Sequence, residues 1–448
     1  MKVVIIGGGE VGFHAAKALC GENHDITIVD IDPAKTKRAS DHIDVITVEG
    51  NGASPNTLRE AVVEDADLVL SLTRTDEVNL IASQQAHKMG AKKIIARLRN
   101  EQYTRRDSII RPESFGIDLV IHPEKAASDE IVRLVRHSYA TQAMDFEGGR
   151  MEMIGFRLDK NCPIATKTIR EICEENEDFR FGVVAVTRNG STEVPWSDFI
   201  FREGDTCYFI FKKDYLDQIM EMLGKEAIEA KGVMILGGSK IGRNLAETLQ
   251  NEMSVRLIDA NRDKAERLAS TLPNTMVLNS DGTDVEFLKS ENIHELDSFI
   301  SVTQSEQTNL LCGLLAHHLG TKQTIIHINT TEYLPVVQEI GIGCMVSKNI
   351  STVNAILQNI KSGFSDSAVT SFEELEVDVL EFSPEPGSKV MDIPLSEVHF
   401  PKDSIVGIIN HHGHLSIARG SSQLTEDDIV LVFAKQKAIP KLRKLFSA

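Results

Sequence analysis

The chain has 448 residues, of which 42% are hydrophobic and 5% are aromatic, and its formal net charge at pH 7 is −18. This length exceeds one ordinary hydrophobic core and predicts roughly three or four domains. An acidic surface repels nucleic acid and anionic lipid, so we expect neither as a direct partner. The sequence contains no long apolar run and no secretory-signal pattern, and we therefore expect a cytosolic chain without a spanning helix.

Short apolar runs alternate with helical segments through the first part of the chain. The runs show little polar alternation, which is typical of parallel strands covered on both faces. They lie at 3–6, 25–29, 44–48, 68–72, 93–96 and 119–121. Helical segments at 11–19 and 77–89 lie between them, and Gly90 fits a C-terminal helix cap. The predicted fold class is α/β, with a doubly wound parallel sheet of about six strands.

From about Met144 the pattern changes to alternating polar and apolar residues. Residues 151–158 alternate, Asn189-Gly190 is a hairpin signal, and residues 204–211 form a further apolar run. These features predict a small α+β lobe of about 75 residues. The polar stretch 225–230 follows, and we expect it to join the two halves of the chain.

The same order of elements then starts again about 230 residues later. Matched segments keep their spacing over about 100 positions, which chance similarity does not do. They pair 2–12 with 232–242, Asn51-Gly52 with Asp281-Gly282, 66–73 with 296–303, 75–79 with 305–309, and 93–97 with 323–327. We predict four domains: an α/β lobe at 1–143, an α+β lobe at 144–224, a second α/β lobe with its linker at 225–368, and a second α+β lobe at 369–448.

The first copy carries a glycine loop between its first strand and first helix, formed by Gly7, Gly8, Gly9, Glu10, Val11 and Gly12. Such glycines permit a tight turn, close approach of backbone to a pyrophosphate, and close packing of helix on sheet. Amide groups at the helix start would face the phosphates. Asp30, at the end of the next strand, can accept hydrogen bonds from both ribose hydroxyls and would repel a 2′-phosphate. The sequence predicts NAD(H) or another unphosphorylated adenosine ligand; the alternative is a structural turn with no ligand.

The second copy consists of Gly237, Gly238, Ser239, Lys240, Ile241 and Gly242 with the acid Asp259, and it departs from the first in two places. Ser239 replaces the middle glycine, and we expect its Cβ and hydroxyl to crowd a phosphate. His327 replaces Arg97, and a neutral imidazole cannot pair bidentately with phosphate. We predict unequal sites, of which the first binds a charged ligand more tightly. Arg97 could instead be a surface charge, and Thr73 and Thr303 ordinary strand-end hydroxyls.

Several other features are assigned structural roles. The turn His411-His412-Gly413-His414 has too few ligands for a metal site, so we predict exposed histidines and no metal. Asp76 and Glu77 are expected to cap a helix or to favour its dipole, and Trp196 is expected to be a packing or interface aromatic, with a ligand contact as the alternative. The six cysteines form no CxxC pair and are expected to be reduced and mostly buried. We find no nucleophile elbow, Walker loop or HExxH motif, and predict no catalytic residues.

The glycine loop, Asp30, the segments Gly50-Asn51-Gly52 and Thr75-Asp-Glu-Val-Asn79, and Ile95-Ala-Arg97 together resemble the N-terminal lobe of an RCK domain (regulator of potassium conductance). The α+β units resemble the RCK C-terminal lobe. Two such pairs in tandem resemble the cytosolic RCK regulators of potassium uptake systems, and the resemblance covers essentially the whole chain.

The resemblance implies a homo-oligomeric ring at the inner face of the cell membrane, held there by a separate TrkH-like potassium-translocating protein. It implies binding of NAD(H), and of ATP or ADP, without catalysis. Residue by residue it places ligand contacts at Gly7 to Val11, Asp30, Thr73, Arg74 and Arg97, and at Gly237 to Ile241, Asp259 and Thr303.

Three alternatives remain open from the sequence. One is an NAD-dependent dehydrogenase, although the companion lobes are small and carry no residue set for proton transfer. Another is a regulator of a different cation channel or antiporter. The third is a sensor with no membrane partner.

Overall fold

The computed structural model describes residues 1–20, 24–105, 107–137, 140–146, 149–176, 178–225, 230–329, 343–360, 368–372 and 377–447. The chain divides into two compact units, Met1–Ala127 with Lys348–Ser371, and Ser128–Ser347 with Phe372–Ala448. Residues 226–229 of the predicted linker lie outside the described residues. The boundaries of the four proposed domains remain a prediction.

A six-stranded parallel sheet forms the centre of the first unit, in the order β3-β2-β1-β4-β5-β6. Its strands are β1 (Lys2–Ile6), β2 (Asp25–Asp30), β3 (Ile46–Glu49), β4 (Leu68–Ser71), β5 (Lys93–Arg97) and β6 (Leu119–Ile121). Its helices are α1 (Glu10–Cys20), α2 (Pro33–His42), α3 (Pro55–Glu60), α4 (Asp76–Met89) and the start of α5 (Pro123–Arg136). The strand order reverses between β1 and β4, where doubly wound sheets open a crevice at the carboxyl ends of their strands.

Both faces of this sheet are buried, as the apolar runs predict. Val3 and Ile5 lie in one apolar cluster, whereas Val4 and Ile6 lie in another. Successive side chains of a strand point to opposite faces, so β1 contributes to a core on each side. Gly90 ends α4 in the left-handed conformation, at φ 108°, as the sequence predicts.

The second unit contains an antiparallel sheet in the order β10-β9-β11-β8-β7. Its strands are β7 (Ala140–Phe146), β8 (Met151–Arg157), β9 (Phe181–Arg188), β10 (Ser191–Glu193) and β11 (Thr206–Lys212), with helices α6 (Ile169–Glu175) and α7 (Leu216–Met222). Asn189 and Gly190 form the two-residue turn between β9 and β10, both with positive φ. This matches the predicted hairpin.

The second parallel sheet lies in the same unit and repeats the strand order of the first, as β14-β13-β12-β15-β16-β17. Its strands are β12 (Gly232–Leu236), β13 (Ser254–Ile258), β14 (Thr275–Leu278), β15 (Ser298–Ser301), β16 (Gln323–His327) and β17 (Cys344–Val346). The associated helices in chain order are α8 (Lys240–Leu249), α9 (Arg262–Thr271), α10 (Val285–Ser290), α11 (Glu306–His318) and α12 (Lys348–Ile360), of which α12 belongs to the first unit.

A last five-stranded sheet has the order β18-β19-β22-β20-β21. It comprises β18 (Ala368–Phe372), β19 (Val377–Phe382), β20 (Ser404–His411), β21 (His414–Ile417) and β22 (Asp428–Ala434), and helix α13 (Ile439–Phe446) follows. Two parallel sheets and two antiparallel sheets thus alternate along the chain, which confirms the predicted α/β class. Within the described residues no helix is both long enough and apolar enough to cross a bilayer.

Helix α12 packs on the first parallel-sheet lobe although it follows the second sheet in sequence. Val353, Ile356, Leu357 and Ile360 form its apolar stripe and join the same core cluster as Phe13 of α1. The spacing of these four residues places them on one face of a helix. The carbonyl of Asn359 also accepts a hydrogen bond from Lys93 Nζ at 2.9 Å. The sequence predicted the helix pattern of the repeat, but it did not predict that a helix from the second half of the chain packs on the first parallel-sheet lobe.

Candidate functional site

The first glycine loop joins β1 to α1 at the carboxyl edge of the first sheet. Gly7 has φ 111°, and its amide donates to Val29 O at 2.7 Å. A Cβ at Gly12 would lie 1.8 Å from Gly7 O, so only glycine lets α1 start this close to the strand. A Cβ at Gly9 would have no atom within 4 Å. Gly9 is therefore not required by packing, and it leaves space above the loop.

Asp30 ends β2 beside this loop and is only 8% exposed. Its Oδ2 accepts from Gly8 N at 2.7 Å, its Oδ1 accepts from Asp32 N at 2.9 Å, and Lys35 Nζ lies 3.4 Å from Oδ1. A carboxylate offers about four acceptor positions, so about one remains. Asp30 thus fixes the glycine loop, and accepting two ribose hydroxyls would require Lys35 to move aside.

Asn79 of α4 holds the ends of β4 and β5 together, a role that the sequence analysis missed. It is fully buried, and its Oδ1 accepts from the amide and the hydroxyl of Thr73 at 2.9 and 2.7 Å. Its Nδ2 donates to Thr73 O at 3.1 Å and to Arg97 O at 2.7 Å. Asn309 makes the same contacts to Thr303 and His327 in the second copy. The recurrence of asparagine at matched positions was the available signal.

Arg97 is buried at the end of β5, which contradicts the alternative of a surface charge. It is 8% exposed, and its buried Nε meets no hydrogen-bond partner among the described residues. Burial lowers the pKa of the Arg97 guanidinium, and the carboxylate of Glu124 partly offsets this effect. Arg74, by contrast, is exposed. A buried guanidinium with an unsatisfied donor is suited to an anionic ligand.

The second copy keeps the loop but uses its serine differently from our expectation. The Ser239 hydroxyl donates to Val302 O at 2.8 Å and accepts from Gly242 N at 3.3 Å. It therefore caps α8 instead of pointing at a phosphate. The cap also engages a helix-start amide, one of the groups expected to face an anion.

The acid of the second copy is more tightly paired than that of the first. Asp259 accepts from Gly238 N at 2.8 Å and from Asn261 N at 2.9 Å, and Lys264 Nζ lies 2.7 Å from its Oδ2. Burial raises the pKa of Asp259, but Lys264 and the two amides outweigh it and hold the pKa below its usual value. His327, at the end of β16, is buried, with 6% exposed.

Other predicted site residues make local structural contacts. A Cβ at Gly52 would lie 2.2 Å from Ile6, and one at Gly282 would lie 2.3 Å from Leu236, so these glycines permit packing beneath the first strand of each sheet. Asn51 and Asp281 accept from backbone amides two residues further on. These turns order the backbone that follows β3 and β14.

Glu10 and Val11 of the first glycine loop, and Ile241 of the second, make contacts within the protein. Glu10 forms an ion pair with Arg38 at 2.5 Å, and the hydrogen bond from Arg38 lowers the pKa of Glu10. Val11 and Ile241 are buried core residues. Their side chains therefore pack α1 and α8, and only their backbone can face a ligand.

Asp76 and Glu77 lie in the first turn of α4, where acidic side chains favour the helix dipole, but Asp76 does not cap the helix. Its carboxylate accepts from Arg99 N at 3.0 Å and Asn100 N at 2.8 Å, and so holds the segment that follows β5. The cap position itself is Thr75, whose side chain makes no capping bond. Asp76 thus orders the backbone beside Arg97.

The histidine turn and the tryptophan belong to the two antiparallel lobes. His411 Nδ1 lies 2.9 Å from Asp428 Oδ1, and His412 and His414 are exposed. The described residues contain no group of three or more ligating side chains placed to hold a metal ion. Trp196 is 51% exposed. The six thiols form no disulfide, and Cys162, Cys207, Cys312 and Cys344 are buried.

Comparison with known proteins gives the same modular organisation. The TrkA-N domain model matches residues 3–123 and 233–348, and the TrkA-C domain model matches residues 153–224 and 379–447. The "GsuK Channel" superposes with a TM-score of 0.59 and 16% identity over 99% of this chain and 78% of that one. The "Crystal Structure of the GsuK RCK domain" superposes with a TM-score of 0.57 and 16% identity over 99% and 94%. Fold and repeat thus define a chain with two RCK-type units.

Relatives that match this chain over its full length identify its family within the class of proteins with RCK-type units. "Trk system potassium uptake protein TrkA homolog 1" of Methanosarcina mazei is 32% identical over 100% of both chains. "Trk system potassium uptake protein TrkA" of Haemophilus influenzae is 29% identical over 100% of this chain and 98% of that one. The chain belongs to the TrkA family of Trk system potassium uptake proteins.

Proposed function

We propose that this chain is the nucleotide-binding regulatory subunit of a potassium uptake system. In this proposal it gates a separate, TrkH-like membrane pore through NAD(H)- and ATP- or ADP-dependent changes of conformation, and it catalyses no reaction. The observation that carries the proposal is the repeated crevice, in which a glycine loop and an acid fixed to that loop recur in one chain of the TrkA family.

The ligand proposal rests on the geometry of the first crevice. A Cβ at Gly9 would meet no atom within 4 Å, and this open space at the start of α1 suits a pyrophosphate. Asp30 lies on the β2 side, where an adenosine ribose would bind, and its negative charge disfavours a 2′-phosphate. One structural relative is the "GsuK channel bound to NAD", with a TM-score of 0.58 and 16% identity.

A ligand can regulate a partner protein without any chemical reaction if it binds two conformations of the chain with different affinity. A ligand shifts a conformational equilibrium only by its difference in affinity for two states, typically about 1–3 kcal/mol per site. Several sites in a homo-oligomeric ring would add their contributions. We place the protein in the cytoplasm, peripheral to the membrane through its pore partner, because its net charge of −18 disfavours direct contact with anionic lipid.

The test combines calorimetry with ion flux. Purified chain is titrated with NAD, NADH, ATP, ADP and NADP, and the same ligands are added to vesicles that contain the pore and are loaded with potassium. We expect reversible binding that is weak for NADP, unchanged nucleotide after incubation, and nucleotide-dependent flux only when pore and chain are both present. Consumption of NAD in the presence of hydroxy or amino acids would contradict the proposal, as would flux that ignores nucleotide.

A further inference from the structure

Four charged side chains meet at the carboxyl edge of the first sheet, beyond the crevice described above. Arg97 ends β5, Arg99 follows two residues later, Glu124 is the second residue of α5, and Lys348 is the first residue of α12. Lys348 Nζ lies 3.7 Å from Glu124 Oε1, and Arg99 Nε lies 3.5 Å from the same oxygen. All four belong to the first compact unit.

This cluster has more positive than negative charge. Arg97, Arg99 and Lys348 lie around one carboxylate, and Arg74 and Asp76 add one charge of each sign near Arg97, so the local sum is positive even when Glu124 is ionised. Glu124 is only 7% exposed, and the side chain of Lys348 is 22% exposed. Burial lowers the pKa of Lys348, whereas the Glu124 carboxylate raises it. The buried Arg97 Nε still has no hydrogen-bond partner among the described residues. The cluster therefore contains cationic groups that the single Glu124 carboxylate does not fully neutralise.

The position of the cluster relative to the ligand follows from the strand order. An adenosine lies toward β2 and Asp30, and the pyrophosphate lies at the start of α1. The remainder of the ligand must then extend over the ends of β4 and β5. Arg97 and its neighbours occupy that end of the crevice. A third phosphate would meet cations there, whereas a ligand that ends at the pyrophosphate would leave them paired with Glu124.

The second copy lacks this arrangement. The positions that correspond to Arg97, Arg99 and Glu124 are His327, Asn329 and Asn349, and Pro123 corresponds to Lys348. None of the four carries a permanent charge. The cluster therefore distinguishes the first site and is not a general feature of the repeat.

We propose that Lys348 and Glu124 set the ligand preference of the first site: Lys348 favours an adenine nucleotide with a third phosphate, and Glu124 competes with that phosphate for the surrounding cations. This inference rests on the proposed nucleotide-binding function and names the residues that select among its ligands. Lys348 comes directly after β17 of the second half of the chain, so the second half supplies a selectivity residue to the first site.

The experiment measures the ratio of ATP to ADP affinity by calorimetry on the full chain. A Ser239→Asp background adds a carboxylate that repels phosphate at the second copy, so the first site is observed alone. ATP and ADP share adenosine and two phosphates, and the ratio isolates the third. We expect Lys348→Met to lower ATP affinity roughly tenfold and ADP affinity less than about threefold. Glu124→Gln should change the ratio in the opposite direction, with tighter ATP binding.

Two controls separate selectivity from folding. Lys88→Met removes an exposed cation from α4 in the same unit and should leave both affinities unchanged. Lys348→Arg keeps the charge and should preserve the ratio, even if Lys348→Met lowers the melting temperature. A purely structural pair would respond to Lys348→Met and Glu124→Gln with losses of the same sign, and this result would overturn the inference. An unchanged ratio of ATP to ADP affinity in Lys348→Met would also overturn the inference. The proposed function would still stand in that case, because the chain would still bind nucleotide. If the wild-type chain bound no adenine nucleotide, the proposed function would fail together with this inference.

Discussion

Two glycines of the same loop have different physical roles. Gly12 is required because a side chain there would overlap the carbonyl oxygen of Gly7, whereas a side chain at Gly9 would enter open space. The motif pattern gives the two positions equal weight. Packing shows that the fold requires glycine at position 12 and that Gly9 leaves room for a ligand.

Substitution at these positions should separate stability from binding. Gly9→Asp should leave the melting temperature within about 2 °C of wild type and should abolish nucleotide binding at the first site, because its carboxylate would repel phosphate. Gly12→Ala should destabilise the protein by about 3 kcal/mol through overpacking. Scanning calorimetry and nucleotide titration of both variants test this pair. A large loss of melting temperature in Gly9→Asp would contradict the packing argument.

Asn79 should matter for stability although it lies beneath the crevice. Asn79→Ala removes the hydrogen bonds that Asn79 makes to the half-buried amide of Thr73 and to the carbonyl of Arg97, at a cost of about 3 kcal/mol. We expect a lower melting temperature together with weaker nucleotide binding, because the ends of β4 and β5 lose their connection. Asn56→Ala, at an exposed position, serves as the control. Equal melting temperatures in the two variants would refute the assignment.

At the scale of elements, an acid before β15 fastens the start of β12. Asp297 accepts from Lys231 N at 2.6 Å and Gly232 N at 3.1 Å, and it pairs with Lys322 at 2.8 Å. Burial raises the pKa of Asp297, but Lys322 and the two amides outweigh it, and the pKa lies below its usual value. Asp67 makes equivalent contacts with Lys2 and Lys92 in the first sheet.

This pairing predicts the direction of an acid effect. A carboxylate with a lowered pKa in the folded state contributes stability above its unfolded pKa and loses that contribution as the pH falls below about 4. Asp297→Asn should therefore cost roughly 1 kcal/mol at pH 7 and flatten the decline in melting temperature between about pH 5 and pH 3. Melting curves across this range test it, with the exposed Asp263→Asn as control. An equally steep decline in both variants would rule the effect out.

The two antiparallel lobes use different cations at one hairpin. Arg188 pairs bidentately with the buried Asp205, both contacts being 2.7 Å, and this partner raises the pKa of Arg188. The equivalent pair in the second lobe is His411 with Asp428. A guanidinium offers a carboxylate two parallel N–H donors, whereas His411 makes one contact with Asp428 through its Nδ1.

His411→Arg should therefore stabilise the second antiparallel lobe. The expected gain at pH 7 is about 1 kcal/mol, because a guanidinium can pair bidentately with the Asp428 carboxylate. Thermal melting of the variant and of the wild-type chain measures the difference. The matched variant Arg188→His should show a loss, and a gain in both variants would contradict the argument.

At the scale of the whole molecule, duplication has produced two crevices with unequal chemistry. The first has an open loop at Gly9, a looser Asp30–Lys35 contact of 3.4 Å and a buried arginine. The second has a serine cap, an Asp259–Lys264 contact of 2.7 Å and His327. A ligand at the second copy would have to displace a shorter ion pair, and it would meet a histidine instead of an arginine at the end of β16.

Two binding events of different affinity are therefore expected for each chain. ATP should bind the first site at least about tenfold more tightly than the second, which corresponds to about 1.4 kcal/mol. Asp30→Asn should weaken mainly the tighter event, and Asp259→Asn mainly the weaker one. Calorimetry resolves the two events. Equal affinities, or loss of the same event in both variants, would contradict the predicted inequality.

The sequence by itself determined the repeat, the two parallel sheets, the glycine loops and the acids at the strand ends. These features depend on neighbouring residues alone. Short apolar runs indicate buried strands, and a tight turn between strand and helix requires glycine at fixed positions. The family resemblance followed from the same residues.

Tertiary structure decided the features that depend on distant partners. It placed α12 on the first lobe, because an apolar stripe specifies that a face is buried but not against which helix. In the folded chain the Ser239 hydroxyl caps α8, and the Asp76 carboxylate binds backbone amides of the segment after β5. Tertiary structure also brought Lys348 to Glu124, more than 200 residues away in the chain. Electrostatic contacts of this kind depend on three-dimensional distance, and sequence spacing carries no information about it.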